Sequence, residues 1–567
     1  MLQSETRWDQ LKLDDALCRL DQFASELSVD ALICISRKCR KSGDPEKGRL
    51  FLELIRKHGF ETQNSLGNHV VPMLVECGSI TIAQDVFDKL KHRNVHAWTS
   101  LISGYVHCGL FHHARNIYVR MRKSCVSVNS YTLVALLKAS LNSIEVQEMH
   151  LEIAEHGLEN DIFVGSTLID SYVKFGALPE AHCVFSQMSA RNVVSWTALI
   201  GGYVDNGFAQ EAVNCYEKMQ QQLVPNDITI LSILKAYAIL RDLIQGQIIH
   251  TEIVQKGFIN PLLDSTIIDM YAKCGSLLEA ESMLKTSSVQ DVVAWNALLA
   301  GYVDHGLGHK ALACFDQMLE IEVPIDVFTV VCALRASGDT GASGKGFYLH
   351  KEIVVRSFEG DSFINNTLID MYGKCGSLIE AQKIFDGLEV KDLVAWNVML
   401  SAYCSNHEES MALELFECMQ AHGVRPDSVT FTSVLSACKE ANYAQTGLRL
   451  FKLMLLEYAI PPTADHFTCL IDLLARSGLL HEAEKLLDTI KWPQSKEMWL
   501  ALLSACNRCS ELDLGLRCFE EFIKLDPECS TPYILVANMY SKIGRWQDAH
   551  TIQELGKTKS LKCHDAV

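Results

Sequence analysis

The segment VVAWNALLAGYVDHG, residues 292–306, has three close relatives elsewhere in the chain. They read VHAWTSLISGYVHCG from Val95, VVSWTALIGGYVDNG from Val193 and LVAWNVMLSAYCSNH from Leu393. By subtraction, intervals of 98, 99 and 101 residues separate their tryptophans, Trp98, Trp196, Trp295 and Trp396. A fixed internal period is the signature of a repeat protein, so this segment decides the architecture.

Two further kinds of unit fill each period. TLIDSYVKFGAL from Thr167 returns as TIIDMYAKCGSL from Thr266 and as TLIDMYGKCGSL from Thr367. A third, less regular unit includes SYTLVALLKAS from Ser130 and VFTVVCALRAS from Val327. The long period is therefore a triplet of units.

Each unit has the apolar spacing of two helices. In the unit that begins at residue 292, the i, i+3, i+4, i+7 pattern is formed by Trp295, Leu298, Leu299 and Tyr302. Gly306 ends this pattern, and a second one follows with Ala311, Leu312, Phe315 and Met318. Such a pair cannot bury both apolar faces alone, so neighbouring pairs must stack. We predict an all-α superhelical solenoid of stacked helix-turn-helix repeats, with the first helices lining one face.

Composition narrows the functional classes. The 567 residues are 48% apolar and 21% charged, which fits an ordered chain and excludes a disordered one. Lys and Arg number 51 against 69 Asp and Glu, a formal charge of -18. This is the wrong sign for holding nucleic acid by bulk electrostatics. Any nucleic-acid binding must come from local geometry.

Targeting and redox signals are weak. The 21 cysteines have no paired spacing and no secretory leader, which favours free thiols in a reducing compartment. No run of about 18 apolar residues occurs, so we expect no membrane span and no membrane partner. Acidic residues outnumber basic ones between Met1 and Glu26, whereas organelle presequences are Arg-rich. The chain shows no clear presequence.

Catalytic motifs are missing too. Zinc deaminases need a His-x-Glu with a Cys-x-x-Cys, and here Cys506 and Cys509 form such a cysteine pair without the upstream partner. A zinc enzyme built on this pair stays an alternative hypothesis. No zincin pattern, Rossmann fingerprint or P-loop occurs. We expect a protein that is not an enzyme and that holds no cofactor and no metal.

At these repeats the chain resembles the plant pentatricopeptide repeat proteins of the PLS class, E subgroup, without a DYW domain. The resemblance divides the chain into an N-terminal segment (1–28), an array (29–495) and C-terminal E motifs (496–567). The L units are 29–63, 130–161, 227–260 and 327–361. The S units are 64–94, 162–192, 261–291 and 362–392. The P units are 95–129, 193–226, 292–326 and 393–427, followed by a variant L unit (428–463) and an S unit (464–495).

The resemblance implies that the fifth and last residues of each P and S unit read one RNA base. These pairs are Asn68 with Asn94, Thr99 with Asn129, Ser166 with Asn192, Thr197 with Asn226, Ser265 with Asp291, Asn296 with Asp326, Asn366 with Asp392, and Asn397 with Asp427. In the L units the fifth residues are apolar: Ile33, Val134, Leu231 and Val331. Polarity thus recurs at one register in two unit types only. The alternative interpretation is that these polar residues are helix caps or solvated positions.

The family's code turns these pairs into a target. It implies U for Asn with Asp, C for Asn with Asn, A for Thr or Ser with Asn, and G for Ser with Asp. The implied RNA is 5′-C-A-x-A-A-x-G-U-x-U-U-3′, with x opposite each L unit. The pairs Thr432 with Thr463 and Thr468 with Ser495 depart from the code. The 32-residue L unit at 130–161 is shorter than its siblings, which affects the register there.

Cations recur at the thirteenth position of four S units, where they could meet phosphates: Lys174, Lys273, Lys374 and Arg476. Glu76 occupies that place in the first S unit, and a solvated helix end is the alternative interpretation.

The resemblance therefore predicts sequence-specific binding of single-stranded organellar RNA to specify a C-to-U editing site. A DYW-type deaminase and editing-factor proteins would act in trans, and the location would be the mitochondrion or, alternatively, the chloroplast. Other hypotheses are RNA stabilisation, splicing or translation, and a protein-binding helical-repeat scaffold.

Overall fold

The computed structural model describes residues 11–23, 28–60, 63–257, 261–286, 291–358, 360–489, 496–527 and 529–564. The described residues contain 33 helices and no strand. None of these helices is long and apolar enough to cross a membrane. The chain divides into two compact halves, Met1–Met283 and Leu284–Val567. The predicted all-α class is confirmed.

The N-terminal half is a row of helical pairs. Its helices are α1 (Leu13–Phe23), α2 (Val29–Ser42), α3 (Pro45–Lys57), α4 (Asn64–Glu76), α5 (Ile80–Lys89), α6 (Val95–His107), α7 (Phe111–Lys123), α8 (Ser130–Lys138), α9 (Ser143–Glu155), α10 (Ile162–Lys174), α11 (Leu178–Gln187), α12 (Val193–Asp205), α13 (Ala209–Gln220), α14 (Asp227–Leu240), α15 (Leu243–Lys256), α16 (Pro261–Lys273) and α17 (Leu277–Thr286), within which the division falls.

The C-terminal half repeats the arrangement. Its helices are α18 (Val292–Asp304), α19 (Gly308–Glu320), α20 (Val327–Asp339), α21 (Ser343–Val355), α22 (Ser362–Lys374), α23 (Leu378–Gly387), α24 (Leu393–Ser405), α25 (Glu409–Ala421), α26 (Ser428–Glu440), α27 (Ala444–Leu456), α28 (Ala464–Arg476), α29 (Leu480–Thr489), α30 (Lys496–Cys509), α31 (Leu512–Leu525), α32 (Thr531–Lys542) and α33 (Trp546–His564).

Within each half the helices form two layers. The first helices pack on one another in sequence, from α2 through α4 to α16 and from α18 through α20 to α32. A second helix such as α13 packs on its own first helix, α12, and on the next one, α14. Stacking of this kind buries the apolar faces that a single pair leaves exposed. The predicted solenoid of helix-turn-helix repeats is therefore present in each half.

Glycine closes the turn inside each P unit but one. Gly306 has a φ of +70°, a conformation that side chains disfavour. The amide of Leu307, which follows it, donates to the carbonyl of Tyr302 at 2.8 Å and so ends α18. In the unit that begins at Leu393, His407 takes this place with a φ of +59°.

The recurring tryptophans form the core of the P units. Trp98, Trp196 and Trp396 meet Phe87, Phe185 and Phe385 of the preceding second helix edge-to-face, with ring centroids 4.6, 4.5 and 4.9 Å apart. All three tryptophans are at most 4% exposed. This packing sets the depth of the first helix relative to its neighbour, and it therefore sets the position of the residue beside each tryptophan.

Candidate nucleic-acid interface

The last residue of each P and S unit is the N-cap of the following first helix. Asn94, Asn129, Asn192, Asn226, Asp291, Asp326, Asp392 and Asp427 cap α6, α8, α12, α14, α18, α20, α24 and α26, respectively. Their side chains are half-buried or exposed. For these residues the interpretation as helix caps describes the geometry correctly, and it leaves open what the rest of each side chain does.

Each asparagine cap uses its carbonyl oxygen. Oδ1 of Asn94 accepts from the backbone N–H of Ala97 at 2.9 Å, and Oδ1 of Asn129 accepts from that of Thr132 at 2.9 Å. Asn192 and Asn226 make the same bond at 2.9 Å. Because the oxygen is committed to the helix, the group that each asparagine can offer to a ligand is its Nδ2 donor.

Aspartate caps leave the opposite kind of group. Oδ1 of Asp326, Asp392 and Asp427 accepts from the third backbone N–H of the next helix at 2.8, 2.8 and 2.9 Å. Each carboxylate has a second oxygen outside the cap, and an ionised carboxylate only accepts. On Asp326 this oxygen accepts from Nδ2 of Asn296 at 3.1 Å. One cap geometry therefore presents a donor where the residue is Asn and an acceptor where it is Asp.

The fifth residues lie on the first helices of their own units, one turn inside each helix. Ser166, Thr197, Ser265, Asn296 and Asn366 are between 4% and 9% exposed. Asn68, Thr99 and Asn397 are half-buried. Burial one turn inside a helix is not expected of solvated residues, so the five buried residues argue against the interpretation as solvated positions.

Two predicted pairs are joined directly through their side chains. Nδ2 of Asn296 donates to the Asp326 carboxylate at 3.1 Å, and Nδ2 of Asn397 donates to Oδ1 of Asp427 at 3.1 Å. Burial alone would raise the pKa of Asp326, but hydrogen bonds from Thr329 and Asn296 outweigh it and lower the pKa below its ordinary value. The pKa of Asp427 is lowered in the same way. Both carboxylates are therefore ionised acceptors at neutral pH.

At other positions the predicted reading residues make different contacts. Oδ1 of Asn68 accepts from the backbone N–H of Asn94 at 2.9 Å, and the Ser166 hydroxyl donates to the carbonyl of Ile162 at 2.7 Å. Ser265 lies on α16 and Asp291 precedes α18, on either side of the division between the halves. Ser495, from the last irregular pair, lies outside the described residues.

The predicted phosphate-binding cations are largely engaged in ion pairs. Nζ of Lys273 lies 2.8 Å from Asp269, and Nζ of Lys374 lies 2.8 Å from Asp339 and 3.0 Å from Asp370. The Arg476 guanidinium contacts Asp472 at 3.0 Å and Glu440 at 3.2 Å. Lys174 lies 5.5 Å from the ring centre of Phe175. These carboxylates cancel much of the positive charge that a phosphate would meet.

Sequence reasoning missed a row of apolar side chains at the second position of ten units. Each is large and at least half exposed, and lies in the first turn of its first helix: Tyr131, Phe163, Val194, Ile228, Leu262, Val293, Phe328, Phe363, Val394 and Val429. The signal was available, because these residues recur at one register where the helical spacing does not require an apolar residue. We call this set the second-position row.

The short L unit brings two members of the second-position row together. Its first helix, α8, spans 9 residues, whereas α14 and α20 of the other L units span 14 and 13. The ring centroids of Tyr131 and Phe163 lie 5.9 Å apart. Two aromatic rings therefore meet next to the shortened unit.

The L-unit fifth residues and the cysteine pair offer no polar site. Val134 and Val331 are 5% and 4% exposed, and Ile33 and Leu231 are half-buried. On α30, Cys506 is buried and Cys509 is exposed. Among the described residues no group of three His, Cys, Asp or Glu side chains could hold a metal ion.

Family models match most of the array. The PPR repeat family matches residues 93–142, 191–239, 290–337 and 391–440, and the PPR repeat matches 166–193, 265–286, 366–393, 429–457 and 465–492. The E motif matches residues 509–567, inside the predicted C-terminal region.

Similar proteins come from plants. A pentatricopeptide repeat-containing protein of Arabidopsis thaliana, named mitochondrial, is 31% identical over 93% of this chain and 77% of its own length. The chloroplastic protein DOT4 of the same plant is 33% identical over 93% of this chain and 61% of its own. The fold matches PPR10 from maize in complex with an 18-nt psaJ RNA element, with a TM-score of 0.57, 18% identity, and coverage of 97% of this chain and 87% of that one. The repeats, the E motif and these relatives show that the chain belongs to the pentatricopeptide repeat family.

Proposed function

We propose that the chain binds single-stranded RNA in a sequence-specific way. The observation that carries this proposal is that the two polar atoms of a cap side chain have different roles. At seven of the eight predicted reading positions one side-chain atom completes the helix cap, and the other lies outside the cap as a donor on Asn or as an acceptor on Asp. A regular row of such groups suits a ligand with one hydrogen-bonding edge per repeat.

Base chemistry connects these groups to the implied target. The ring nitrogen on the pairing edge of A and C accepts a hydrogen bond, whereas that of U and G carries a hydrogen. A free Nδ2 donor on Asn therefore suits A and C, and a free carboxylate oxygen on Asp suits U and G. This agrees with the target C-A-x-A-A-x-G-U-x-U-U, in which the four Asn caps precede the four Asp caps.

The second-position row supplies the apolar contacts. Bases stack on or between apolar and aromatic side chains, and each such contact contributes about 1–3 kcal/mol when an aromatic ring is involved. Phe328 and Phe363 are 51% and 61% exposed, next to caps of the first helices α20 and α22. Each base would thus be held by its faces and identified by its edge.

We further propose that binding marks a C-to-U editing site in an organelle. The E motif supports this role, and a DYW-type deaminase with editing-factor proteins would act in trans on the bound RNA. Relatives named mitochondrial and chloroplastic support an organellar location, with the mitochondrion as our first choice. The alternation of P, L and S units and the domain limits 1–28, 29–495 and 496–567 belong to the same proposal.

Binding to short RNAs tests the first proposal. The full chain is titrated against the implied target and against the same RNA with C in place of U opposite Asn296/Asp326 and Asn397/Asp427, at one fixed salt concentration. Each wrong base costs about 1–3 kcal/mol, so the double exchange should weaken binding by about thirtyfold or more. As a control, exchanges opposite the L units 227–260 and 327–361 should change little. Equal affinity for all three RNAs would refute base reading and favour a protein-binding scaffold.

Reconstitution tests the editing proposal. A reporter RNA with the target upstream of a cytidine is combined with the chain, with a DYW-type deaminase, or with both. We expect conversion of C to U only with both proteins. Conversion by this chain alone would contradict the assignment as a non-enzyme, and tight binding without conversion would favour stabilisation, splicing or translation.

A further inference from the structure

A threonine follows every P unit at the third position of the next unit. The four residues are Thr132, Thr229, Thr329 and Thr430, and each is 0% exposed. A buried hydroxyl must find hydrogen-bond partners, since leaving it unpaired costs about 1–3 kcal/mol. In this chain the partners are the two predicted reading residues of the preceding P unit.

The Asn/Asp pairs show the arrangement most fully. The Thr329 hydroxyl lies 2.6 Å from Oδ1 of Asn296 and 2.8 Å from Oδ1 of Asp326, and it accepts from the Asp326 backbone N–H at 3.4 Å. The Thr430 hydroxyl lies 2.6 Å from Oδ1 of Asn397 and 2.8 Å from Oδ1 of Asp427. The same triad therefore occurs twice in the C-terminal half.

The Thr/Asn pairs of the N-terminal half form a corresponding triad, with threonine in place of asparagine at the fifth position. The Thr132 hydroxyl lies 2.7 Å from that of Thr99 and 2.8 Å from Oδ1 of Asn129. The Thr229 hydroxyl lies 2.6 Å from the Thr197 hydroxyl and 2.8 Å from Oδ1 of Asn226. All four P units thus join their fifth and last residues through a buried threonine.

The hydroxyl fixes which end of an amide faces it. Because the Thr329 hydroxyl can donate, Asn296 turns Oδ1 towards it, and Nδ2 is then directed to Asp326 and away from the threonine. The Asp326 carboxylate, which only accepts, contacts Nδ2 from the other side, so loss of the hydroxyl removes one of the two contacts that fix the amide. A reading residue whose amide is less firmly fixed separates U from C less sharply, because the pairing edges of these bases have opposite donor and acceptor patterns.

Three of the first four S units are followed by a residue without a hydroxyl at this position: Ala97, Ala294 and Ala395. After the unit 162–192 the position holds Ser195, whose hydroxyl bonds to the backbone N–H and carbonyl of Asn192. Asn366 with Asp392 is the informative case, because it is the same Asn/Asp pair as Asn296 with Asp326 but is followed by Ala395.

We propose that Thr132, Thr229, Thr329 and Thr430 are positioning residues that set the hydrogen-bond polarity of the reading pair in every P unit. P units should therefore discriminate between bases more sharply than S units. This inference rests on the proposed RNA binding, and it adds the source of selectivity within each P unit.

Thr329→Val tests the inference because valine keeps the shape and removes the hydroxyl. Affinities of the full-length wild type and variant are measured for the target, for the RNA with C opposite Asn296/Asp326, and for the RNA with C opposite Asn366/Asp392. A bidentate contact discriminates between bases by roughly 5- to 150-fold. We expect Thr329→Val to reduce the preference for U over C by at least fivefold, and only opposite Asn296/Asp326. Thr329→Ser should retain the wild-type preference. Selectivity at Asn366/Asp392 should not change, which separates lost positioning from general unfolding.

The outcomes separate this inference from the proposed function. If the wild type does not distinguish any of the RNAs, the base-reading proposal fails. If the wild type distinguishes them and Thr329→Val keeps its full preference at Asn296/Asp326, the positioning role is refuted. Should Thr329→Val not fold, Thr430→Val read opposite Asn397/Asp427 provides the same comparison.

Discussion

At the scale of single residues, a helix cap and a proposed recognition group share one side chain. Oδ1 of Asp326 accepts from the N–H of Thr329 and Oδ2 accepts from Nδ2 of Asn296, and its pKa stays below the ordinary value because these hydrogen bonds outweigh burial. A lowered pKa means that the carboxylate is ionised at every pH above the usual range for Asp. Base selectivity that depends on this carboxylate should persist across the physiological pH range and be lost only in acid.

Asp326→Asn should change the preferred base at this position from U to C. Asparagine can cap α20 through Oδ1, as Asn226 caps α14, and it then offers Nδ2 as a donor instead of an accepting oxygen. Binding to RNAs with each base opposite Asn296 measures the change.

The matched control for this substitution is Asp316→Asn. It removes the same charge from the same unit, on the second helix α19, where Asp316 pairs with Lys345. It should leave base preference unchanged. An Asp326→Asn protein that still prefers U would show that the remaining oxygen does not read the base.

At the scale of helices, close packing between first helices depends on small residues in complementary places. A Cβ on Gly202 of α12 would lie 2.4 Å from Cγ2 of Val173 on α10. In the corresponding pair of the C-terminal half the sizes are exchanged, because Gly373 on α22 faces Ala402 on α24, with 2.5 Å between an added Cβ and that of Ala402. One of the two helices must therefore supply a glycine.

Gly202→Ala should destabilise the N-terminal half by about 1–3 kcal/mol, the usual cost of overpacking. In the double variant with Val173→Gly, which copies the arrangement at Gly373 and Ala402, the two substitutions should compensate in part. A double-mutant cycle of unfolding free energies measures this coupling. Simple additivity of the two costs would contradict the close approach.

Trp396→Ala should cost about 3–5 kcal/mol because it leaves a cavity against Phe385. Hydrogen exchange should show the loss of protection in α24 and its neighbours, since stability in stacked repeats is carried by adjacent contacts. The control is Trp546→Ala in the same half, because Trp546 is 69% exposed and its removal should change stability by less than about 0.5 kcal/mol. Equal effects of both substitutions would contradict a structural role for the repeated tryptophan.

At the scale of the whole molecule, the net charge does not favour RNA binding, so the proposed recognition depends on other interactions. The formal charge is -18, and three of the four predicted phosphate contacts lie in ion pairs. Under the proposed function, affinity for RNA therefore comes mainly from stacking and base edges, which salt screens only weakly. The proposed selectivity follows because the chain lacks the electrostatic attraction that would hold any RNA.

The salt dependence of binding should consequently be shallow. If all four cations contact phosphates, the slope of log K against log salt is about -3, from about -0.7 per contact on a single strand. Lys374→Ala should reduce the slope by about 0.7. The control, Lys383→Ala on the second helix α23, should not. A much steeper wild-type slope would show that backbone electrostatics dominate.

The fold class, the helical pairs and the register at which the polar pairs recur could all be predicted from the sequence. Periodicity and helical spacing are local properties, so residues such as Trp295 and Leu299 report them directly. The folded chain shows in addition which cap atoms bond to the helix and that Thr329 joins Asn296 to Asp326. Thr329 and Asn296 are 33 positions apart and meet because two units stack. A hydrogen bond between stacked helices depends on their relative depth and rotation, which core packing sets and no single repeat encodes.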